Sequence, residues 1–356
     1  MQTYEIAVIG GDGIGPDVIA AGQQVLAAAG DVTGSYRLNY TDFPWGCEYY
    51  LQHDLMMPAD ALQTLEQFQA IYLGAVGYPT VPDHISLWGL LLPIRKAFRQ
   101  YVNLRPIKLL RGIDGPLRDK GPEEVDFVCV RENTEGEYSG VGGRVHVGTD
   151  HEVALQNNVF TRTAVERIIR YAFDYAQSHG RSGVTSITKS NAMQYNMVFW
   201  DEVFASVAQE YPDIATSKYH VDAAAARFVT SPESFDVVVA SNLFADILTD
   251  LGGALQGSLG LPPSANIDPT RRYPAMFEPV HGSAPDIHGQ NIANPLAAFW
   301  AGAMMLDFLG EHEAGQLVMD AMEAVTANGT VRTPDLGGTA TTQDVTDAVV
   351  QALREV

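Results

Sequence analysis

Residues Val237 to Gly253 read VVVASNLFADILTDLGG. Val237–Val239 is a β-branched apolar run, the signature of a buried strand. Ser241-Asn242 then occupies a helix N-cap position. The helix predicted after it carries Asp246 and Asp250. Four residues apart, the two carboxylates share one helix face, with Cβ atoms roughly 5–6 Å apart. They repel unless a cation lies between them, and Mg²⁺ or Mn²⁺ takes such hard oxygen ligands. Taken alone, the pair is equally a solvated acidic face. Leu243, Phe244, Ile247, Leu248 and Leu251 cover much of the circumference. That predicts a largely buried helix, in which an uncompensated carboxylate pair is costly. The stretch therefore reads as half of a metal site at the carboxyl end of a strand.

Strands and helices alternate on both sides of it. YEIAVI (4–9) is a buried strand, followed by GGDGIGP (Gly10–Pro16) and a helix through about Ala29. Such a unit can offer backbone N–H groups to a phosphate. It is not a dinucleotide fingerprint, because the glycines run Gly11-x-Gly13-x-Gly15 and no acidic residue follows a second strand at the usual distance. A helix is predicted over 58–68, a strand over Ala70–Gly77, and a helix around Leu87–Tyr101 in which Pro93 is awkward. Strands VNLRPIKLL and Asp126–Asn133 follow. The Gly-rich, alternating stretch after them reads as a projecting hairpin arm. Helices are expected at 161–179, 195–210, 296–310, 313–327 and Thr342–Glu355, the last with Thr342 and Asp344 as cap candidates. Pro274–Pro295 is a long polar loop. This alternation argues α/β.

At 356 residues the chain has room for two domains and a sizeable core. Its net charge of −21, with no basic block, argues against nucleic acid as a partner. No apolar run approaches the ~18 residues of a membrane span. The N-terminus reads as a strand, not a signal peptide. Cys47 and Cys129 lack metal-type spacing and suit a reducing, cytoplasmic setting.

Against this acidic background three arginines stand out. Arg95, Arg105 and Arg131 fall at or near the ends of successive elements, and guanidinium forks match carboxylates. Each could pair with a surface acid; together, with Tyr138 nearby, they favour a small polyanionic substrate. Lys189 sits at a strand end with Asn191. A lysine beside a metal and arginines is depressed by like charge, which suits a general base; the plainer alternative is a surface lysine. Asp222 is a third metal carboxylate if the fold brings it to Asp246 and Asp250, or else a simple N-cap. Tyr138 is a proton donor or a packing ring. Asp286, in HGSAPDI, could accept from a ribose diol, or the loop is purely structural.

GDGIGP, the arginine helix followed by NLRP, VREN with a tyrosine six residues after the Glu, KSN, the late VD, NLFADILTDL and EPVHGSAPDI…NIANP occur here in one order. In that order the chain resembles the metal-dependent β-decarboxylating dehydrogenases acting on isopropylmalate, isocitrate, homoisocitrate and tartrate/D-malate. The resemblance runs essentially end to end. It implies a two-domain α/β fold that is not Rossmann, a dimer arm, and a homodimer with shared active sites in the cleft. The first domain would be residues 1–100 plus 256–356, and the second 101–255. Arg95, Arg105 and Arg131 match the carboxylate clamp and Tyr138 the general acid. Lys189 and Asp222 match residues contributed across the dimer, and Asp246 with Asp250 completes the metal site. His281, Gly282, Ser283, Ala284, Asp286, Ile287 and Asn294 match the adenosine site, with Asn191 as a further cofactor contact. Asp286-Ile287 stands where NADP-dependent relatives carry Lys-Tyr, so NAD is implied. Mn²⁺ or Mg²⁺ is implied as the metal, with K⁺ a further candidate.

Isopropylmalate enzymes place a Glu seven residues before the first clamp arginine; here that position is Trp88. A bulky indole shortens the pocket and offers no charge to a third carboxylate. HISLWG and QYVNLRP resemble the tartrate/D-malate branch, with Trp88 and Leu91 lining the substrate, although Leu90 and Pro93 replace residues usually small or polar there. The expected reaction is D-malate to pyruvate and CO₂, or tartrate oxidation. The alternatives are 3-isopropylmalate dehydrogenase and a non-catalytic regulatory subunit.

Overall fold

The structure, a computed structural model, describes residues 1–355. The chain begins β1 (Gln2–Gly11), α1 (Gly15–Thr33), β2 (Tyr36–Asp42), α2 (Cys47–His53), α3 (Ala61–Leu65) and β3 (Ala70–Ala75). It continues with α4 (Asp83–Ser86), a π-helical turn (Leu87–Leu91), α5 (Leu92–Ala97) and β4 (Val102–Lys108). Then come β5 (Asp126–Glu132), the antiparallel pair β6 (Gly136–Val145) and β7 (Val153–Val159), and α6 (Arg162–Ser178). The middle of the chain closes with β8 (Gly183–Thr188), α7 (Asn196–Ala208), β9 (Ala215–His220), α8 (Val221–Thr230), β10 (Val237–Ala240) and α9 (Asn242–Leu255). Last are β11 (Pro263–Ile267), β12 (Ala275–Pro279), α10 (Leu296–Leu309), α11 (His312–Asn328) and α12 (Thr342–Glu355).

Two compact units result. The first holds Met1–Gln100, Pro106–Val125 and the chain from Gly253 onward; the second holds Tyr101–Arg105 and Asp126–Gly252. The sequence expectation put 101–255 together, whereas Pro106–Val125 groups with the chain ends. Leu109, Leu110 and Ile113 are buried, and the Gln256 amide donates to the Lys108 carbonyl at 3.1 Å. Gly112 also lies so close to Thr326 that a Cβ there would meet its carbonyl oxygen at 2.2 Å.

In the first unit the strand order is β2-β1-β3-β12-β11. Its pairs are parallel except β11 with β12. β3 is buried at all six positions, as a strand covered on both faces must be. Ile9, Trp45, Met56, Ile71, Leu90, Ile94 and Met276 form one cluster of its core. In the second unit the order is β4-β5-β10-β8-β9, with β10 between β5 and β8 and parallel to both. Phe228 packs edge to face on both Phe127 and Phe235, which are tilted to each other, with centroids 4.7–5.7 Å apart.

Several expectations needed correction. The helix predicted over 58–68 is regular only at Ala61–Leu65, because Gln67 and Phe68 bond three residues back and tighten the last turn. The helix predicted around Leu87–Tyr101 is broken. Leu92 N–H bonds the Leu87 carbonyl five residues back, and this wide turn places Pro93 at the start of α5, where its missing N–H costs little. α12 is capped by Thr341, not Thr342: Asp344 N–H donates to Thr341 Oγ1 at 3.1 Å, and Thr341 N–H to Asp344 Oδ2 at 2.8 Å. Thr342 instead donates its hydroxyl to the Ala293 carbonyl. α9 is largely buried, as its apolar circumference predicts, with Ile247 (57% exposed) and Asp250 on its open side.

Candidate active site

α9 organises the second unit's polar cluster. β10 delivers the chain to its first residue, and parallel pairing sets Ala240 beside Arg131 at the end of β5. Glu137, buried at the start of β6, accepts from Leu243 N–H at 3.0 Å and from the Ser241 hydroxyl at 2.9 Å. A carboxylate thus caps the helix where orphan N–H groups and the dipole favour negative charge.

Asp246, one turn further on, is the hub. Arg131 Nη1, itself buried, donates to its Oδ1 in a part-buried ion pair, and Arg105 Nη1 reaches the same oxygen at 3.5 Å. Tyr138 donates its hydroxyl to Oδ2 at 2.8 Å, and the Arg131 guanidinium lies 5.5 Å from the Tyr138 ring centroid. Burial, followed by the charge of Asp246, pushes the Tyr138 hydroxyl up to about 12, so it stays protonated. Asp250 lies one turn beyond Asp246. Although Asp250 is exposed, the atoms packed around its carboxyl partly desolvate it, and this, then the charge of Asp246, raises it above the ordinary value, against the pull of Arg105 and Arg131.

Lys189 Nζ sits 2.9 Å from Asp222 Oδ1. That contact and the backbone N–H groups at the start of α8 hold the Asp222 carboxyl below its ordinary value. The reading in which Asp222 joins Asp246 and Asp250 within one chain is therefore not what the fold produces. Among the described residues no three His, Cys, Asp or Glu side chains gather to hold a metal. Asp246 and Asp250 fit a divalent ion as two hard oxygen donors on one face, fewer than such an ion takes. Asn191 is exposed in the turn after β8.

The first unit holds the other expected groups. Arg95 is buried in a pair with Glu278 at 2.7 Å, and Asn266 donates to the same oxygen. Trp88 is 44% exposed, with Lys96 Nζ 4.6 Å from its ring, and Leu91 is half-buried. In the HGSAPDI loop Ser283 is buried, Gly282 and Asp286 are exposed, and His281 and Ile287 are half-buried. Ala284 has φ of 39°, a left-handed conformation that strains a residue with a Cβ.

The glycine loop supports this segment. Ile14 N–H bonds the Ser283 carbonyl at 2.9 Å, and a Cβ on Gly13 would stand 2.0 Å from that oxygen. Gly77, Ser283 and Pro285 help line a cavity of about 520 Å³. His281 Nδ1 lies 2.9 Å from the Gly282 carbonyl. A carbonyl only accepts, so Nδ1 carries the proton and Nε2 presents a lone pair. That Nε2 is buried without a hydrogen-bond partner, which fits a donor such as a nucleobase amine. Asn294 donates to Asp335 at 2.9 Å and accepts from the N–H of Leu296, the first residue of α10.

Over residues 5–349 the chain matches the model for isocitrate/isopropylmalate dehydrogenases. The chain belongs to this family. It is 55% identical to a Bacillus subtilis protein named as a probable tartrate dehydrogenase/decarboxylase, covering 100% of this chain and 99% of the relative. It is 54% identical to the decarboxylating D-malate dehydrogenase of Escherichia coli, covering 99% of each. It is also 51% identical to the tartrate dehydrogenase/decarboxylase of Pseudomonas putida, covering 99% of this chain and 98% of that one. The isocitrate dehydrogenase structure from Methylococcus capsulatus superposes with a TM-score of 0.88 at 36% identity, over 99% of both chains. The fold is thus the isocitrate dehydrogenase-like α/β fold, and the chain is an oxidoreductase of the decarboxylating kind. No helix among the described residues is long and apolar enough to cross a membrane.

From the sequence, Thr249, Glu137 and Asp335 do not stand out, and Asn242 stands out only as a helix cap. Asn242 and Thr249 stand four before and three after Asp246, on its face of α9. That spacing was the available signal.

Proposed function

We propose that this chain catalyses the NAD-linked oxidative decarboxylation of a small 2-hydroxy dicarboxylate, D-malate to pyruvate and CO₂, and that it also oxidises tartrate. What supports this is the convergence of Arg105, Arg131 and Tyr138 on Asp246. Two forks for a carboxylate and a protonated phenol meet at a residue suited to a cation. The names of relatives at 51–55% identity favour the same reaction.

Arg105 and Arg131 hold the substrate carboxylates and orient C2 and C3, with Arg95 of the first unit as a further clamp residue. Lys189, from a second copy of the chain in a homodimer, takes the proton of the C2 hydroxyl. NAD⁺ would accept the C2 hydride, and a divalent ion held by Asp246, Asp250 and Asp222 of the second copy would polarise the C2 oxygen as a Lewis acid. The bond from C3 to the departing carboxylate breaks, CO₂ leaves, and its electron pair stays on the C2–C3 enolate. Tyr138 then protonates C3. His281, Asp286 and Asn294 hold the adenosine half of the cofactor, and Asn191 contacts it further. Trp88 and Leu91 restrict the substituent on C3.

The test is NADH formation with Mn²⁺ and K⁺ present, comparing D-malate, the tartrate isomers and 3-isopropylmalate by kcat/KM. D-malate or tartrate should dominate. If 3-isopropylmalate dominates, the Trp88 argument fails. Absence of turnover on all of them would favour a regulatory subunit.

A further inference from the structure

Both clamp arginines of the second unit are held from behind by uncharged side chains of α9. Asn242 Oδ1 accepts from Arg131 Nε at 3.1 Å and from Nη2 at 2.8 Å. The far end of the same amide donates to the Glu135 carbonyl at 3.1 Å, which fixes which way it faces. Thr249 Oγ1 accepts from Arg105 Nη1 at 2.6 Å and lies 3.1 Å from the Asp246 carbonyl, to which it donates. All four side chains are buried: Arg131 is 2% exposed, Arg105 7%, Asn242 1% and Thr249 3%.

A buried guanidinium needs acceptors, and most proteins supply a carboxylate. A carboxylate would satisfy the donors and also cancel the charge that an incoming anion must meet. An amide or hydroxyl oxygen fixes the plane of the fork and leaves that charge in place. Plane matters, because a bidentate grip on a carboxylate needs the two N–H vectors parallel to its two oxygens. The helix supplies both functions from one face: Asn242, Asp246, Thr249 and Asp250 stand at steps of four, three and one, the stripe that a 3.6-residue period brings together. Asp246 is then the carboxylate that α9 offers to the two arginines, and it is shared with Tyr138.

We propose that Asn242 and Thr249 are positioning residues for dicarboxylate recognition, neutral acceptors that set the planes of Arg131 and Arg105 without compensating their charge. The inference rests on the reading of these arginines as the substrate clamp.

The test is equilibrium binding of malonate, an unreactive dicarboxylate, to the wild-type protein and to Asn242→Asp, Thr249→Val and Thr249→Ser, with KM for D-malate and for NAD⁺ measured alongside. Asn242→Asp keeps an acceptor in the same place but charges it. It should weaken malonate and raise KM for D-malate by about 10-fold or more, the scale on which a charge-assisted contact acts. KM for NAD⁺ should stay within about 2-fold of wild type. Thr249→Val should weaken malonate similarly, and Thr249→Ser, which restores the hydroxyl, should recover it. A merely structural role would move stability and both KM values together. Malonate affinity unchanged in both Asn242→Asp and Thr249→Val overturns the proposal. If Asn242→Asp does not fold, the Thr249 pair decides alone: equal affinity of Val and Ser overturns it. Loss of malonate binding in the variants of a wild type that turns over no hydroxy diacid would support this inference while the reaction assigned above fails.

Discussion

Tyr138 lies 2.8 Å from Asp246, stays protonated because burial and that carboxylate push it up to about 12, and thus sits as a donor beside the clamp. Tyr138→Phe removes the hydroxyl and little else. Single-turnover and steady-state rates should fall by about 10²–10⁴-fold, the range for a lost general acid, with NAD⁺ affinity unchanged. His281 is the residue whose protonation bears on stability. Burial lowers its pKa below the ordinary 6.5, so the unfolded chain takes up a proton first as pH falls. Stability is therefore full above about pH 6.5 and is lost as pH drops toward the folded value. Urea unfolding of wild type and His281→Gln across that window should converge or cross in acid, and parallel curves would contradict it. The two carboxylates and three arginines were legible from residue type and spacing, since their chemistry is local to each side chain. Their partners were not. That Arg95 faces Glu278, or that Lys189 faces Asp222, depends on residues 183 and 33 positions away, which only tertiary contacts decide.

Several parallel strands are legible because apolar, doubly buried runs such as Ala70–Ala75 carry a strong local signal. By contrast β12, buried throughout and parallel to β3, lies within the stretch that reads as a polar loop, since Glu278 and the flanking prolines mask it. Helix ends carry a weaker signal. The segment around Pro93 shows why: periodicity continued across residues 83–97, but the chain changed its hydrogen-bond step to five for one turn. The apolar circumference of α9 predicts a largely buried helix, which it is, and leaves open only which residues, Ile247 and Asp250 among them, face outward. In the homodimer proposed above, Ile247 is an exposed apolar residue of the kind a second copy covers. At α12 the capping box of Thr341 and Asp344 starts one residue before the expected cap. Thr341→Ala should lower unfolding free energy by about 1 kcal/mol, the usual cost of a lost N-cap. The same substitution at Thr342 would instead remove its bond to Ala293 at the buried end of that helix. Chemical denaturation of both variants separates the two roles.

At the scale of the molecule, Lys189 and Asp222 pair with each other in the second unit, while Tyr138, Arg105 and Arg131 gather on Asp246. The account brings the two groups together through a second copy. The arm of β6 and β7 exposes Val141, Val145, Val153 and Leu155, an apolar edge suited to such an association. Mixing unfolded Lys189→Ala and Tyr138→Phe chains and refolding them then gives heterodimers with one intact site. About a quarter of wild-type activity should return, as expected for random pairing with two-fold symmetry. No recovery would place both residues in the same chain's site. Pro106–Val125 belongs to the first unit, where Gln256 and the Thr326 turn receive it, contacts far away in sequence.

The most direct test of the central claim is product analysis of D-malate labelled at C4, incubated with NAD⁺ and Mn²⁺. The account predicts labelled CO₂, unlabelled pyruvate and NADH in equal amounts. NADH with the label retained in a four-carbon keto acid would show oxidation without decarboxylation and contradict it.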